Sequence, residues 1–508
     1  MNLLSSTTVF SFFTLISRVL GYLRDILIAI FLGASILADV FFVAFRLPNT
    51  FRRLFAEGTF NAAFIPSYTK ENIKSVKDGK KFADEVLSLI IISILFLVLL
   101  VEIFTPIVIF LIAPGFFENS VKYNLAIDLS RITFPFLLFV TISSFFSGIL
   151  NSNNKFAAAA AAPIILNIVL IISLLISFFY ELNYVKNLSY AVTLSGFLQM
   201  IFLIYFTKKF YLPSIFFKIK ISEKVKFFLK KLAPSIFSSG VMQINILIGT
   251  IIASFQAGAV SYLYYADRVY QINLAIAGIA VGVVSLPVLA SAIKKKEKKK
   301  ISDIQNRSIE LTFLLSIPAS FGLIIAAEEI ISSLFGYGTF SIDDVRLTSK
   351  ALLYFAFGVP AFALLKVLAN LFFARDNTKT PFKISLIIVF INIVISILFF
   401  RSLGFLIIPI ATTISSWSGI FLYVLILLRK KFLSFQNNTL FNLIKIIFSS
   451  ILMSIILYFA LIFYNEQLLY SNSFKFLYLL SIIIFVAIIY LISCYLLGVL
   501  RYKNYRAF

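Results

Sequence analysis

The chain has 508 residues, 61% hydrophobic and only 13% charged, with a mean hydropathy of +1.01. This composition excludes an ordinary water-soluble globule, and apolar runs of about 20 residues recurring from end to end define an all-α polytopic membrane protein. The net charge of +23 would point to nucleic acid in a soluble chain; here its placement makes it a topology signal, and no nucleic-acid partner is expected.

Fourteen spans are predicted. The first, near 7–32, carries Arg18, Arg24 and Asp25, and is expected to be a retained helix, because it lacks a basic leader followed by a small-residue cleavage site. The second, near 35–69, carries Asp39, Arg46, Arg52 and Arg53, with Glu57 beyond them. It is too long for one straight helix, and Pro48 and Pro66 inside it point to a bent or broken element. Spans near 84–112, 122–150, 157–180 and 188–207 complete a first set of six. A segment alternating Lys with Phe and Ile then suits an amphipathic stretch on the cytoplasmic surface. Spans near 232–256, 260–291, 308–327, 347–374, 382–402 and 405–428 form a second set, and 440–464 and 474–500 are additions. The expected organisation is a lobe at 1–210, a linker at 211–231, a second lobe at 232–432 and two extra helices in 433–508.

Basic residues alternate with this count. Connections near 70–81, 151–156, 208–231, 292–307, 375–383 and 429–445, together with the tail after Leu500, hold 31 of the 45 Lys and Arg. The intervening connections hold five: Lys122, Lys186, Arg346, Arg401 and Lys475. The positive-inside rule therefore places both termini in the cytoplasm, and the run KKKEKKK (294–300) reads as a topology determinant. Cys494, the one cysteine, lies in an apolar run and reads as a small hydrophobe.

The two sets repeat. An offset of 222 to 225 residues lays Arg46 (VAFR) over Arg268 (YADR), Pro135 over Pro360, and Asn167 (LNIV) over Asn392 (INIV). A common offset across separate short matches is stronger than any one of them. Each set holds an even number of spans, so the repeat is parallel. This is a transporter architecture, with alternating access by rocking of one half against the other.

Lys outnumbers Arg 31 to 14 in the whole chain, yet seven of the arginines fall inside spans (Arg18, Arg24, Arg46, Arg52, Arg53, Arg131 and Arg268), against two lysines, Lys350 and Lys366. An ionised group at bilayer depth costs at least about 2.5 to 3.5 kcal/mol, so such residues usually face a water-filled cavity or a partner. A guanidinium is a planar fork that grips phosphate oxygens in pairs and cannot be neutralised by deprotonation. The pattern favours a phosphate or pyrophosphate as the group held. Helix-to-helix ion pairing and snorkelling are the competing readings for these arginines, above all for Arg131 and Lys350 near the ends of their spans. Asp25, Asp39 and Asp267 are candidate partners that orient them. The absence of His removes imidazole metal ligands and imidazole acid–base catalysis, and no catalytic or metal site is expected.

In the stretches SRVLGYLRD (17–25), LGASILADVFFVAFRLPNTFRRLFAEGTFNAAFIP (32–66), YADRVYQ (265–271) and FFARDNTKTP (372–381) the chain resembles the MurJ (MviN) family of lipid II flippases, within the wider group of MATE exporters and polysaccharide flippases. The resemblance covers essentially the whole chain. It implies a monomeric transporter, not an enzyme, in the bacterial inner membrane. Its cargo would be lipid II, undecaprenyl-diphosphate-linked MurNAc-GlcNAc-pentapeptide, moved to the outer leaflet for cell wall synthesis among membrane lipids. Carried over through the motifs, it implies substrate-binding roles for Arg18, Arg24, Arg52 and Arg268, with Asp39 and Lys366 at matching acidic and basic positions; Asp25 joins them as a partner of the first-helix arginines. No cofactor is implied; membrane potential or an ion gradient would drive the cycle. The seventh span, QINILIGTIIAS (243–254), offers no carboxylate for a sodium ion. A different polyprenyl-diphosphate oligosaccharide as cargo, or a MATE-like export of small molecules, is the alternative, although an exporter of cations would want unpaired carboxylates rather than an excess of arginine. A membrane glycosyltransferase would need catalytic carboxylates at an outer face, and a scaffold or receptor would leave the arginines unexplained.

Overall fold

Every regular element is a helix among the described residues, which in this computed structural model are 3–55, 59–214 and 221–500. Glu57, part of the Lys-interleaved linker and the basic tail after Leu500 lie outside them. The order is α1 (Leu3–Leu32), α2 (Ile36–Phe55), α3 (Thr59–Lys74), α4 (Val76–Ile103), α5 (Thr105–Ile112), α6 (Ser120–Thr133), α7 (Phe136–Ser152), α8 (Phe156–Phe179), α9 (Tyr184–Thr207) and α10 (Glu223–Ala253). Then come α11 (Ala259–Leu274), a π-helical turn (Ala275–Ala280), α12 (Val281–Lys294), α13 (Lys298–Ile325), α14 (Ala327–Phe335), α15 (Ile342–Ala356), α16 (Val359–Phe373), α17 (Lys379–Leu403), α18 (Ile407–Arg429), α19 (Asn437–Phe463) and α20 (Lys475–Leu496).

Apart from the short α14, these helices fall into fourteen consecutive groups at the expected positions. Among the described residues nine stretches are long and apolar enough to cross a membrane, ten with the bent pair α15–α16. One of the nine, Lys379–Arg429, is 51 residues long and contains both α17 and α18. At 1.5 Å per residue that is more than twice a hydrocarbon core, so it accounts for two crossings. The chain is a multi-pass membrane protein.

Helix breaks follow local chemistry. In the long second span Pro48 lies inside α2 and Pro66 inside α3, so each is accommodated within a helix. The repeated prolines do mark breaks: Pro135 stands between α6 and α7, and Pro360 opens α16, which bends 41° from α15. Proline lacks the N–H that a continuing helix would use and clashes with the preceding turn. Gly358 completes that second break, since a Cβ there would fall 2.3 Å from the Phe362 ring. The basic connection expected at 70–81 is nearly all helix. Ser75 alone separates α3 from α4, its side chain accepting from the N–H of Lys77, and Gly79 lets α4 pass Asn72, which a Cβ would meet at 2.6 Å.

The chain divides into two compact units, Met1–Ser261 and Tyr262–Phe508. The sequence repeat turns over within the linker, whereas packing divides the chain after Ser261, because α10 lies against α2, α3, α4 and α5. The helical half of the linker is continuous with α10, which starts at Glu223 behind a Ser222 cap. In the first unit an aromatic core of Phe60, Phe64, Phe82, Phe145 and Phe228 joins α3, α4, α7 and α10. In the second, α19 packs on α13 and α20 on α19 and α14, so the two additional helices form part of that unit.

Candidate functional site

The expected site residues are shared out between the units, with Arg18, Arg24, Asp25, Asp39 and Arg52 in the first and Arg268 and Lys366 in the second.

On α1, Arg24 and Asp25 are both buried. Arg24 donates from Nε and Nη2 to Asp25 Oδ1 at 3.0 and 2.7 Å, and from Nη1 to Asn167 Oδ1 at 2.9 Å. Asn167, on α8, returns a bond from Nδ2 to the Ser17 carbonyl at 2.8 Å. Its amide lies against Gly21, where even a Cβ would be 3.7 Å away. One guanidinium fork thus ties a carboxylate and an amide together and fixes α1 on α8, a geometry that a single ammonium cannot reproduce. Arg18, two turns before Asp25, is exposed.

α2 presents three arginines on its second half. Arg46 donates to Thr250 Oγ1 of α10, and Arg52 Nε donates to Asn49 Oδ1 at 2.9 Å, one turn back. Arg52 and Arg53 are half-buried on the second half of α2.

Asp39 opens α2 and is wholly enclosed. Its Oδ2 accepts from Lys122 Nζ at 3.0 Å and the Gly258 N–H at 2.9 Å, and its Oδ1 from the Ser261 N–H at 2.9 Å and Ser261 Oγ at 2.7 Å. Four protein donors, one from α6 and three from the segment that opens α11, saturate the carboxylate. Lys122 is buried too, with its ammonium 4.0 Å from the centre of the Phe116 ring. The sequence placed Lys122 in a connection. Neither it nor Asn167 was expected as a partner, and the only signal for the latter was its repeat at Asn392.

In the second unit Arg268 is half-buried on α11, with Nη2 donating to the Tyr264 hydroxyl at 2.8 Å and the guanidinium 4.8 Å from the centre of that ring. Beside it Asp267 accepts from Gln271. Lys366 and Lys350 are exposed on α16 and α15. The FFARDNTKTP turn has the geometry of a helix cap. Arg375 donates to the carbonyls of Leu371 and Phe432 and stacks on the Phe432 ring, and Asn377 Oδ1 accepts from the Thr380 N–H.

Outside the spans, a small ionic cluster joins the end of α3 to the start of α10. Lys224 lies 2.7 Å from Glu71 and 3.3 Å from Asp78, and its hydrogen bond holds the Glu71 carboxyl below the usual carboxylate range. Tyr211 donates to Asp84 Oδ1 at 2.5 Å, and burial with that bond pushes its hydroxyl pKa up.

Two helical units with a shared repeat and charged residues placed on apolar helices are the architecture of a polytopic membrane transporter. Solved structures agree: an inward-facing multidrug transporter of the MATE family superposes with a TM-score of 0.65 over 81% of this chain and 94% of its own, at 16% identity, which speaks for the fold. A structure titled lipid II flippase MurJ, inward closed conformation, matches with a TM-score of 0.81 over 96% of this chain and 98% of its own, at 29% identity. The family model for lipid II flippase MurJ matches residues 28–481. A probable lipid II flippase MurJ from Rickettsia prowazekii is 36% identical over 514 aligned positions, covering 99% of both chains. The chain belongs to the MurJ lipid II flippase family.

Proposed function

We propose that this chain carries lipid II across the bacterial inner membrane, from the inner to the outer leaflet, by alternating access, as a monomer with both termini cytoplasmic. Family membership supports the cargo, and the distribution of basic connections supports the orientation. The observation that carries the site is the concentration of guanidinium groups on α1 and α2, in a chain that otherwise uses lysine. Arg18, Arg52 and Arg268 are the groups that engage the diphosphate, with Lys366 as a further cation. Arg24, clamped by Asp25 and Asn167, sets the position of the Arg18 face and exchanges partners when the substrate arrives. Asp39 holds the start of α2 in place. The undecaprenyl tail stays in lipid while the head is held, and no catalytic group or cofactor is required.

The excess of cations over carboxylates gives an empty carrier net positive charge, which an inside-negative potential pulls inward. The diphosphate offsets that charge and releases the loaded form outward. The membrane potential, alone or with an ion gradient, therefore drives the return step.

The test is depletion of the protein in cells, followed by identification of the polyprenyl-linked intermediate that accumulates in the inner leaflet. Accumulated lipid II, relieved by the wild-type chain but not by Arg18→Ala or Arg268→Ala at equal protein levels, is expected. A different oligosaccharide intermediate would assign another cargo, and loss of drug or cation efflux with normal lipid II turnover would make the chain an exporter.

A further inference from the structure

Arg131 has no role in the arrangement above. It sits near the C-terminal end of α6 and is exposed. Glu102 of α4 acts on it electrostatically, yet among the described residues no carboxylate pairs with it and no acceptor bonds it. A guanidinium on an apolar span, with a carboxylate acting on it only at a distance and no hydrogen-bonded acceptor, is open to an acceptor from outside the protein.

The surroundings indicate which one. Arg131 lies on a groove of about 830 Å³ between α6–α7 and α8, floored by α9. Asn187 and Tyr190 stand at the same end as the α8–α9 turn, and Ile172, Leu194 and the Phe139–Phe197 pair form the walls toward mid-span. The two Phe rings meet edge to face, with centroids 5.4 Å apart. Ile172, Tyr190 and Leu194 are about half exposed, so the trough opens sideways from the helices. The volume lies within the range of small-molecule sites, about 300–1,000 Å³. The trough combines a long apolar floor with a single cation near one end, which is the complement of a chain-bearing anion.

We propose that this groove is a binding site for an anionic glycerophospholipid, its phosphodiester on the Arg131 guanidinium and one acyl chain along α9. The leaflet is the one on the side of the α8–α9 turn, the outer leaflet under the orientation proposed above. The site is separate from the α1 and α2 arginines, and its test does not depend on the identity of the cargo.

The reporter is tryptophan fluorescence. The chain has one tryptophan, Trp417 on α18, so Trp417→Phe clears the background. Leu194→Trp, or independently Phe197→Trp, places a probe in the groove, and Ile397→Trp on the exposed face of α17 serves as the reference. The full chain is reconstituted in phosphatidylcholine bilayers, and acyl-brominated phosphatidylglycerol or phosphatidylcholine is titrated in as quencher. Phosphatidylglycerol is expected to bind about fivefold more strongly than phosphatidylcholine at the groove probes, the worth of one interfacial cation. Arg131→Gln should remove that preference without removing quenching by phosphatidylcholine, and the Ile397→Trp probe should show none. Equal quenching by the two lipids would reduce the groove to ordinary lipid contact and overturn the proposal. So would a preference that survives Arg131→Gln, an equal preference at Ile397→Trp, or displacement of the quencher by undecaprenyl diphosphate but not by phosphatidylglycerol.

Discussion

Replacing Asp39 with asparagine separates an anchoring role from a substrate-binding one. The substitution keeps the shape but removes the charge, and it turns one of two acceptor oxygens into a donor. That donor would face either the Lys122 ammonium and the Gly258 N–H or the two donors of Ser261. Lys122 would remain enclosed, with no counter-ion in the carboxylate's place. Removing one partner of a buried ion pair costs about 3–5 kcal/mol, because the other charge stays desolvated. For a unit of this size each kcal/mol lowers the melting temperature by about 2–4 °C, so Asp39→Asn should melt about 6–20 °C lower in detergent. Lys122→Met on its own should also be destabilising, whereas the double variant Asp39→Asn/Lys122→Met should be more stable than the sum of the single losses predicts, with a coupling of at least about 1 kcal/mol. The assay is thermal unfolding of the four purified proteins, read alongside their support of growth. An Asp39→Asn protein that melts like wild type but fails to support growth would refute the anchor and return Asp39 to the substrate.

Arg24→Lys preserves charge but cannot bridge Asp25 and Asn167 together; it should support growth poorly at wild-type protein levels, and a lysine variant as active as wild type would show that the fork is dispensable. Asn167→Ala should weaken the hold of α8 on α1, seen as faster hydrogen exchange around Ser17–Asp25, whereas Asn392→Ala removes a neutral bond from α17 to Thr412 of α18 and should speed exchange in those helices less. The Glu71 carboxyl is held below its usual pKa by Lys224, so the pair stabilises the protein above the unfolded carboxyl value and loses that contribution as pH falls through the folded one. The melting difference between wild type and Lys224→Gln should therefore be present at pH 6 and shrink below about pH 4; a constant difference would exclude the ion pair as its source.

The spans were legible because length and apolarity alone decide what crosses a bilayer, and the repeat was legible because Pro135 and Pro360 perform the same backbone task in each set. Other features depend on contacts distant in sequence. Lys122 looked like a loop cation because it stands at the very edge of the span expected near 122–150, and only folding brings it to Asp39, 83 residues earlier. The Arg24–Asn167 bond spans 143 residues, so the spacing of charges on α1 could suggest Asp25 as a partner but not the amide of α8. Residues 70–81 looked like a loop because their charges outweigh their apolar residues, yet Lys and Glu are good helix formers and a single Ser cap suffices to turn one helix into the next. Pro48 and Pro66 looked like helix breakers, yet both are accommodated within helices.

The recurring Asn has a consequence for how a duplicated protein comes to handle a charged load. At the offset that lays Arg46 on Arg268, the positions matching Arg18, Arg24 and Arg52 are Gly240, Ile246 and Leu274. Both halves inherit the same backbone breaks and the same amide, but in one the amide holds a guanidinium and in the other it bonds to the hydroxyl of Thr412. The ancestral scaffold has been kept as a chassis while most of the electrical work has been weighted toward one copy. A chimera built from two second halves would keep Arg268 and Lys366 twice over but lose Arg18, Arg24 and Arg52, and would be expected to assemble its helices and hold anions more weakly, so specialisation after duplication is recorded here as a single amide with two different tenants.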